Sequence, residues 1–225
     1  MQLSLAEGVF MMVRTVLVLA PHTDDGELGC GATISKMIRN RINVYYVAFS
    51  SCQDSLPDGA APDCLIKEMY AATDVLGIPA ENVECLDFKV RHFEEYRQEI
   101  LDCMIRLNRK LHPDLVLSPS IHDIHQDHLT IANECLRAFK TTTILQYEVP
   151  WNNYTFDNEM FSCVEESDVQ KKIESVKCYL SQEDREYTKE EFLRGLLITH
   201  GVQIGHRYAE VFEIPRMIVK ENMFL

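Results

Sequence analysis

Two short polar clusters hold the residue types from which a hydrolytic site is built. The first is His22-Thr23-Asp24-Asp25; the second, about a hundred residues on, is His125-Gln126-Asp127-His128. His22, Asp25 and His128 together offer two imidazoles and one carboxylate. Such a set suits zinc with an open position, and equally ferrous iron. An open zinc site lowers the pKa of bound water to about 7 and polarises a carbonyl. Hydrolysis there also needs a base close to the water. Asp24 is the natural candidate, because an irregular turn can aim its side chain away from that of its neighbour Asp25. A further proton-handling group is wanted for the oxyanion and the leaving amine. His125 lies three residues before His128, so the two share a face if this segment opens a helix. Asp127 can orient either imidazole from behind.

Each cluster has a plainer reading. Paired Asp before a helix serves as an N-cap and a dipole partner, and His-x-Asp-His can be a solvated helix start. Position favours chemistry. The apolar run Val16-Leu17-Val18-Leu19 precedes the first cluster and Leu115-Val116-Leu117 precedes the second. Both clusters therefore sit where a strand ends, at the sheet edge where open α/β folds bind ligands. Gly29-Cys30-Gly31 does not make the dinucleotide fingerprint Gly-x-Gly-x-x-Gly. Close backbone approach at the strand-to-helix turn accounts for those glycines.

The elements that position the clusters follow from periodicity. After a leader over 1–13, strands are expected at 14–19, 44–49, 83–88, 115–117 and 144–149. Helices are expected at 32–39, 64–76 with Asp63 as cap, 93–111, 127–139 and 168–179. A further helix runs from Thr188 to about His200, with Thr188 and Glu191 at capping-box spacing. Residues 50–62 and 150–160 read as loops, and 209–214 and 217–219 as short closing strands. Alternating strands and helices give βαβ units, hence a mostly parallel sheet with helices on both faces. No composition break divides the chain, so 1–225 reads as one domain.

Charge and cysteine usage narrow the function classes. With 22 Lys and Arg against 35 Asp and Glu, the net charge is −13. That opposes nucleic acid or an anionic membrane as partner, while a small phosphorylated ligand needs only a local basic cluster. Eight cysteines form no Cys-x-x-Cys pair. No basic leader precedes the apolar N-terminus, and no run approaches the ~20 apolar residues of a membrane span. These features point to a cytoplasmic chain with reduced thiols.

At these residues the chain resembles the LmbE-like zinc N-deacetylases. That family includes the de-N-acetylases of GlcNAc-phosphatidylinositol and of the mycothiol and bacillithiol precursors. Its pattern is His-Pro-Asp-Asp after the first strand and His-x-Asp-His after a later one. Arg194-Gly195 and Gly205-x-x-Tyr208-Ala209-Glu210-x-Phe212 resemble its closing segment. The resemblance implies a Rossmann-like three-layer α/β sandwich. It implies His22, Asp25 and His128 as zinc ligands, Asp24 as general base, His125 as oxyanion or amine partner, and Asp127 as the partner of His125. The implied reaction removes an N-acetyl or other N-acyl group from a small amino-sugar substrate, and a homo-oligomer is open. Thr23 stands in place of the motif proline and Gly26 in place of a common Glu.

Arg91 and His92 follow the third strand and are candidates for substrate hydroxyls or a phosphate. Trp151 follows the fifth strand, beside Asn152 and Asn153, and suits sugar stacking. His200, His206 and Arg207 are not expected to be ligands, because three protein ligands and a water complete tetrahedral zinc. Two rivals are a metal-dependent hydrolase of a non-sugar amide or ester, and a non-catalytic Rossmann-like ligand-binding module.

Overall fold

The strand β1 (Thr15–Ala20) is buried along nearly its whole length, and the sheet grows from it in both directions. The computed structural model describes residues 13–56, 59 and 61–219, so the leader up to residue 12 and Pro57 lie outside the described residues. On one side of β1 lie β2 (Asn43–Ala48) and then β3 (Val83–Cys85); on the other lie β4 (Leu115–Pro119) and β5 (Thr143–Tyr147), all parallel. Two antiparallel strands close the second side, β7 (Ala209–Arg216) against β5 and β6 (Met160–Cys163) against β7. The order is β3-β2-β1-β4-β5-β7-β6.

Alternation along β1 builds two cores, because successive side chains point to opposite faces. Val16, Val18 and Ala20 pack with Ile34 of α1 (Asp25–Arg39) and Met69 of α2 (Cys64–Leu76). Leu17 and Leu19 pack with Met104 of α3 (Arg97–Leu111) and Ile131 of α4 (Gln126–Ala138). The helix α5 (Glu166–Val176) lies beside α1 and α2, and α6 (Glu190–Gln203) covers β7. The result is the expected three-layer α/β sandwich. A one-residue slip of β1 would exchange the two cores, so its register is strongly specified.

The chain runs outward from β1 to β2 and β3, then returns to β4 and β5 on the other side. Connections therefore diverge between β1 and β4 and leave a crevice at their C-terminal ends. His22 follows β1 there, and His125 and His128 follow β4.

Several elements differ from expectation. The helix expected at 32–39 is the second half of a longer helix that opens at Asp25 and kinks at Cys30, where φ is −143°. The second half is capped from afar: Glu210 accepts the N–H of Ala32 at 3.1 Å and of Thr33 at 2.7 Å. Lys172 pairs with Glu210 at 2.6 Å and donates to the Leu28 carbonyl at 2.7 Å. Gly29 meets the expectation of close approach, since a Cβ there would collide with the Tyr147 ring.

The third strand stops at Cys85 and the next helix begins only at Arg97, because residues 89–96 turn repeatedly. The closing strand is continuous to Arg216 rather than split, residues 217–219 form no strand, and β6 starts at Met160, the last residue of the loop expected at 150–160. Thr188 forms no capping box. Its hydroxyl donates to the Arg185 carbonyl at 2.7 Å, and the capping box forms at Glu165 and Asp168 instead. Asp63 precedes its helix but pairs with Lys67 at 2.8 Å rather than capping. All eight cysteines are free. Among the described residues no helix is long and apolar enough to cross a membrane.

Candidate metal centre and active-site pocket

Neither aspartate of the first cluster caps α1. Asp25 instead turns back, its Oδ2 accepting the His22 N–H at 2.8 Å. That atom lies 3.2 Å from His22 Nδ1 and 3.3 Å from His128 Nε2, and the two nitrogens are 3.2 Å apart. Ligand atoms held at 2.0–2.1 Å by a tetrahedral ion are about 3.3 Å from one another. The triangle therefore has the edge lengths of three ligands to one such ion, and its donors are of the type zinc or ferrous iron takes.

The outer nitrogens are held as well. His22 Nε2 lies 3.1 Å from Asp127 Oδ2, and His128 Nδ1 lies 2.7 Å from Asp123 Oδ2. A carboxylate behind a ligating imidazole fixes its ring and tautomer. Asp123 was not singled out from sequence, although it stands two residues before His125 in the same loop. Asp127 also differs from expectation. Its carboxylate serves His22 and the backbone N–H groups of Arg91 at 2.6 Å and Phe93 at 3.2 Å, not the ring of His125.

His125 is the N-cap of α4, its Nδ1 accepting the Asp127 N–H at 3.2 Å. The acceptor role places the proton of the neutral ring on Nε2. Burial, reinforced by His128 and His22, lowers the His125 pKa to about 4, so the ring is neutral near pH 7. His125 also brings a ring nitrogen within 4.8 Å of those of His22 and His128.

Charge is concentrated at the triangle. Burial opposes a proton on His22 and His128, but Asp25, together with Asp127 at His22 and Asp123 at His128, raises them to about 9 and about 10. Burial likewise opposes charge on Asp25, and the two imidazoles hold its pKa well below the usual carboxylate range. Asp24 is pushed up to about 6 by burial and by Asp25, near the working range of a general base.

The turn rests on a buried support. The hydroxyls of Tyr46 and Tyr179 both lie within hydrogen-bond distance of the Thr23 carbonyl, at 2.9 and 2.6 Å, and of the Glu27 carboxyl, each sharing its one proton between these acceptors. Burial pushes Glu27 up to about 8. Gly26 follows from this packing, because a Cβ would run into the Tyr46 ring.

His22, Asp24, Asp25, His125 and His128 line a pocket of about 250 Å³. Arg91 and Trp151 line it too. His92 does not; it is half-buried and faces Glu95 at 2.7 Å. Trp151 has one face occupied, stacking on Tyr187 with centroids 4.0 Å apart and planes 12° apart. Gln182, Arg185 and Tyr187 complete this wall, and no local pattern in the sequence marks them. His200, bonded to Glu148 at 2.8 Å, and the exposed His206 and Arg207 stay outside the pocket.

The profile of the family described as PIG-L, GlcNAc-PI de-N-acetylase, matches residues 17–139, more than half of the chain and both clusters. The chain belongs to this de-N-acetylase family. Within it, diacetylchitobiose deacetylase of Thermococcus kodakarensis is 26% identical over 89% of this chain and 83% of that protein. The solved N,N′-diacetylchitobiose deacetylase of Pyrococcus horikoshii superposes with a TM-score of 0.76 at 22% identity, covering 92% of this chain and 86% of that one. A 4-carboxy-2-hydroxymuconate hydratase of Pseudomonas putida superposes at 0.75 with 19% identity, covering 92% and 98%. The architecture thus hosts more than one chemistry, and function has to be argued from the site.

Proposed function

We propose that this chain is a metal-dependent hydrolase that removes an N-acetyl or related N-acyl group from an amino sugar or sugar conjugate. The observation that carries the reading is the triangle of His22 Nδ1, Asp25 Oδ2 and His128 Nε2, with Asp24 on the same pocket wall. His22, Asp25 and His128 would hold the ion, zinc on the family's pattern and ferrous iron by the same donor set. A divalent ion there would supply Lewis acidity, acidifying a water and polarising an acyl carbonyl.

The remaining steps belong to the side chains. Asp24 accepts the proton of the attacking water as its oxygen bonds to the acyl carbon. As negative charge develops on the acyl oxygen, His125 donates to it from Nε2–H, the tautomer that its cap enforces. The C–N bond then breaks, and Asp24 returns the proton to the leaving amine. Asp127 and Asp123 orient His22 and His128 without touching substrate. Trp151 offers its free face to a sugar ring. Eight thiols without a disulfide fit a reducing compartment, and we place the enzyme in the cytoplasm.

The deciding experiment measures metal content of wild type, His128→Ala and Asp24→Asn, with acetate release on a panel of N-acetylamino sugars. About one ion per chain is expected in wild type and in Asp24→Asn, and less in His128→Ala. Acetate should come from wild type alone, with Asp24→Asn slowed by roughly 10²–10⁴. Metal without acetate from any sugar would favour a hydrolase of another amide or ester. No metal in wild type would sink the reading.

A further inference from the structure

We propose that the pocket contains a subsite for an oxyanion, a phosphate or carboxylate carried by the substrate, formed by Arg91 and Arg185. The proposal rests on the deacetylase reading for the identity of the rest of the substrate. Both arginines line the same pocket as the metal-donor triangle.

Arg91 is held in place at both ends. Its backbone sits in the left-handed region with φ of 69°, a conformation a side-chain-bearing residue keeps only where its surroundings enforce it. Asp127 does so by accepting the Arg91 N–H at 2.6 Å. At the other end, Nη2 donates to Ser55 Oγ at 2.8 Å and approaches the Asp54 carbonyl at 3.4 Å. Those acceptors come from the short turn Gln53–Ser55, which follows a second left-handed residue, Cys52, with φ of 55°. The nearby Asp54 carboxylate lies 3.9 Å from Lys89 instead. Among the described residues, Nε and Nη1 of Arg91 have no partner.

Arg185 comes from a different part of the chain, between the turns Leu180–Gln182 and Glu186–Thr188. Its backbone is tied down: its N–H donates to the Gln182 carbonyl at 3.0 Å, and its carbonyl accepts from Thr188. Ser181 anchors the segment to Glu68 through its N–H at 2.9 Å and hydroxyl at 2.6 Å. The Arg185 guanidinium has no carboxylate partner among the described residues, in a chain whose acidic residues outnumber its basic ones 35 to 22. The acidic residues that line the pocket, Asp24 and Asp25, both belong to the metal-donor turn. Two guanidinium groups without a carboxylate partner, on separately braced segments that line one pocket, suit an oxyanion, since each presents a planar set of donors to it. Neutral hydroxyls alone would be read as well by the nearby Asn152 and Gln182.

The test compares acetate release from methyl N-acetylglucosaminide, the 1- and 6-phosphates of N-acetylglucosamine, and the carboxylate-bearing N-acetylmuramic acid. At least one anionic substrate should be preferred. In Arg185→Ala its kcat/KM should fall about tenfold further than that of the neutral glycoside, mainly through KM. Arg185→Lys should recover part of the loss, and salt should weaken the preference. Phosphate and carboxylate arms separate the two sources of the charge. Acetate released from all four, with Arg185→Ala changing every rate equally, would overturn the subsite and leave the deacetylase standing. Should no sugar release acetate, the deacetylase reading fails. Binding of the two sugar phosphates, followed by ligand-observed NMR, then decides: binding lost in Arg185→Ala and Arg91→Ala sustains the subsite, and unchanged or absent binding overturns it.

Discussion

The hydroxyl of Tyr179 lies 2.6 Å from the carbonyl oxygen of Thr23, a residue 156 positions earlier in the chain. With Tyr46 it grips the backbone just ahead of Asp24 and Asp25, at a point where both rings are fully buried. Tyr179→Phe removes one donor and leaves the Glu27 carboxyl and the Thr23 carbonyl underserved. The expected loss is about 1–3 kcal/mol of stability by urea unfolding. Because the Asp24 turn loosens, kcat should fall more than KM rises.

Asp123 and Asp127 each back one imidazole of the triangle. Asp123→Ala should weaken metal affinity by roughly 10–100-fold, measured by competition with a chelator. Asp127→Ala should do the same and more, because the turn carrying Arg91 and Phe93 also hangs on that carboxylate. Equal affinities in wild type and Asp123→Ala would show that His128 needs no support.

Asp168 predicts a pH dependence of stability. Burial works against its charge, but Arg39 at 2.9 Å, the Glu165 N–H at 3.1 Å and Ser35 at 3.0 Å hold its pKa below the usual carboxylate range. A carboxylate whose folded pKa is depressed stabilises the fold fully above its unfolded value, about 3.9. That contribution is lost as pH falls through the folded value. Urea midpoints measured from pH 7 down to pH 2 should decline below about pH 4, and Asp168→Asn should flatten the decline while lowering the midpoint at pH 7.

Lys172 and Glu210 are both buried and paired at 2.6 Å. Lys172→Met leaves the Glu210 charge without its partner, and should cost about 3–5 kcal/mol. Adding Glu210→Gln removes the stranded charge and should restore part of the loss, with its single amide oxygen left to accept from only one of the Ala32 and Thr33 N–H groups. A double-mutant cycle in urea measures the coupling.

The parts of the molecule legible in the sequence are those carried by local pattern. The run Val16-Leu17-Val18-Leu19 reads as a strand because it is buried on both faces, and it is the middle one of the five parallel strands. The α2 and α3 helices show their apolar periodicity, and both polar clusters follow strands as expected. What was missed depends on distant partners. The N-terminal half of α1 is glycine-rich and lacks a periodic apolar face, so it is visible only once Tyr46 and Tyr147 pack on Gly26 and Gly29. The strand β6 is short and exists because β7 offers it a ladder.

By itself the sequence determined the α/β alternation, the two clusters and the residue types within them, because hydrophobic period and motif spacing are local properties of a chain. The tertiary structure alone decided which atoms meet. It set the 3.2–3.3 Å triangle, gave Asp127 to His22 and Asp123 to His128, excluded His92, and brought Arg185 and Tyr187 to the pocket. Those pairings span up to 106 residues within the cluster and more than 90 from Arg91 to Arg185. They arise from the strand order around β1 and β4, and no local pattern encodes that order.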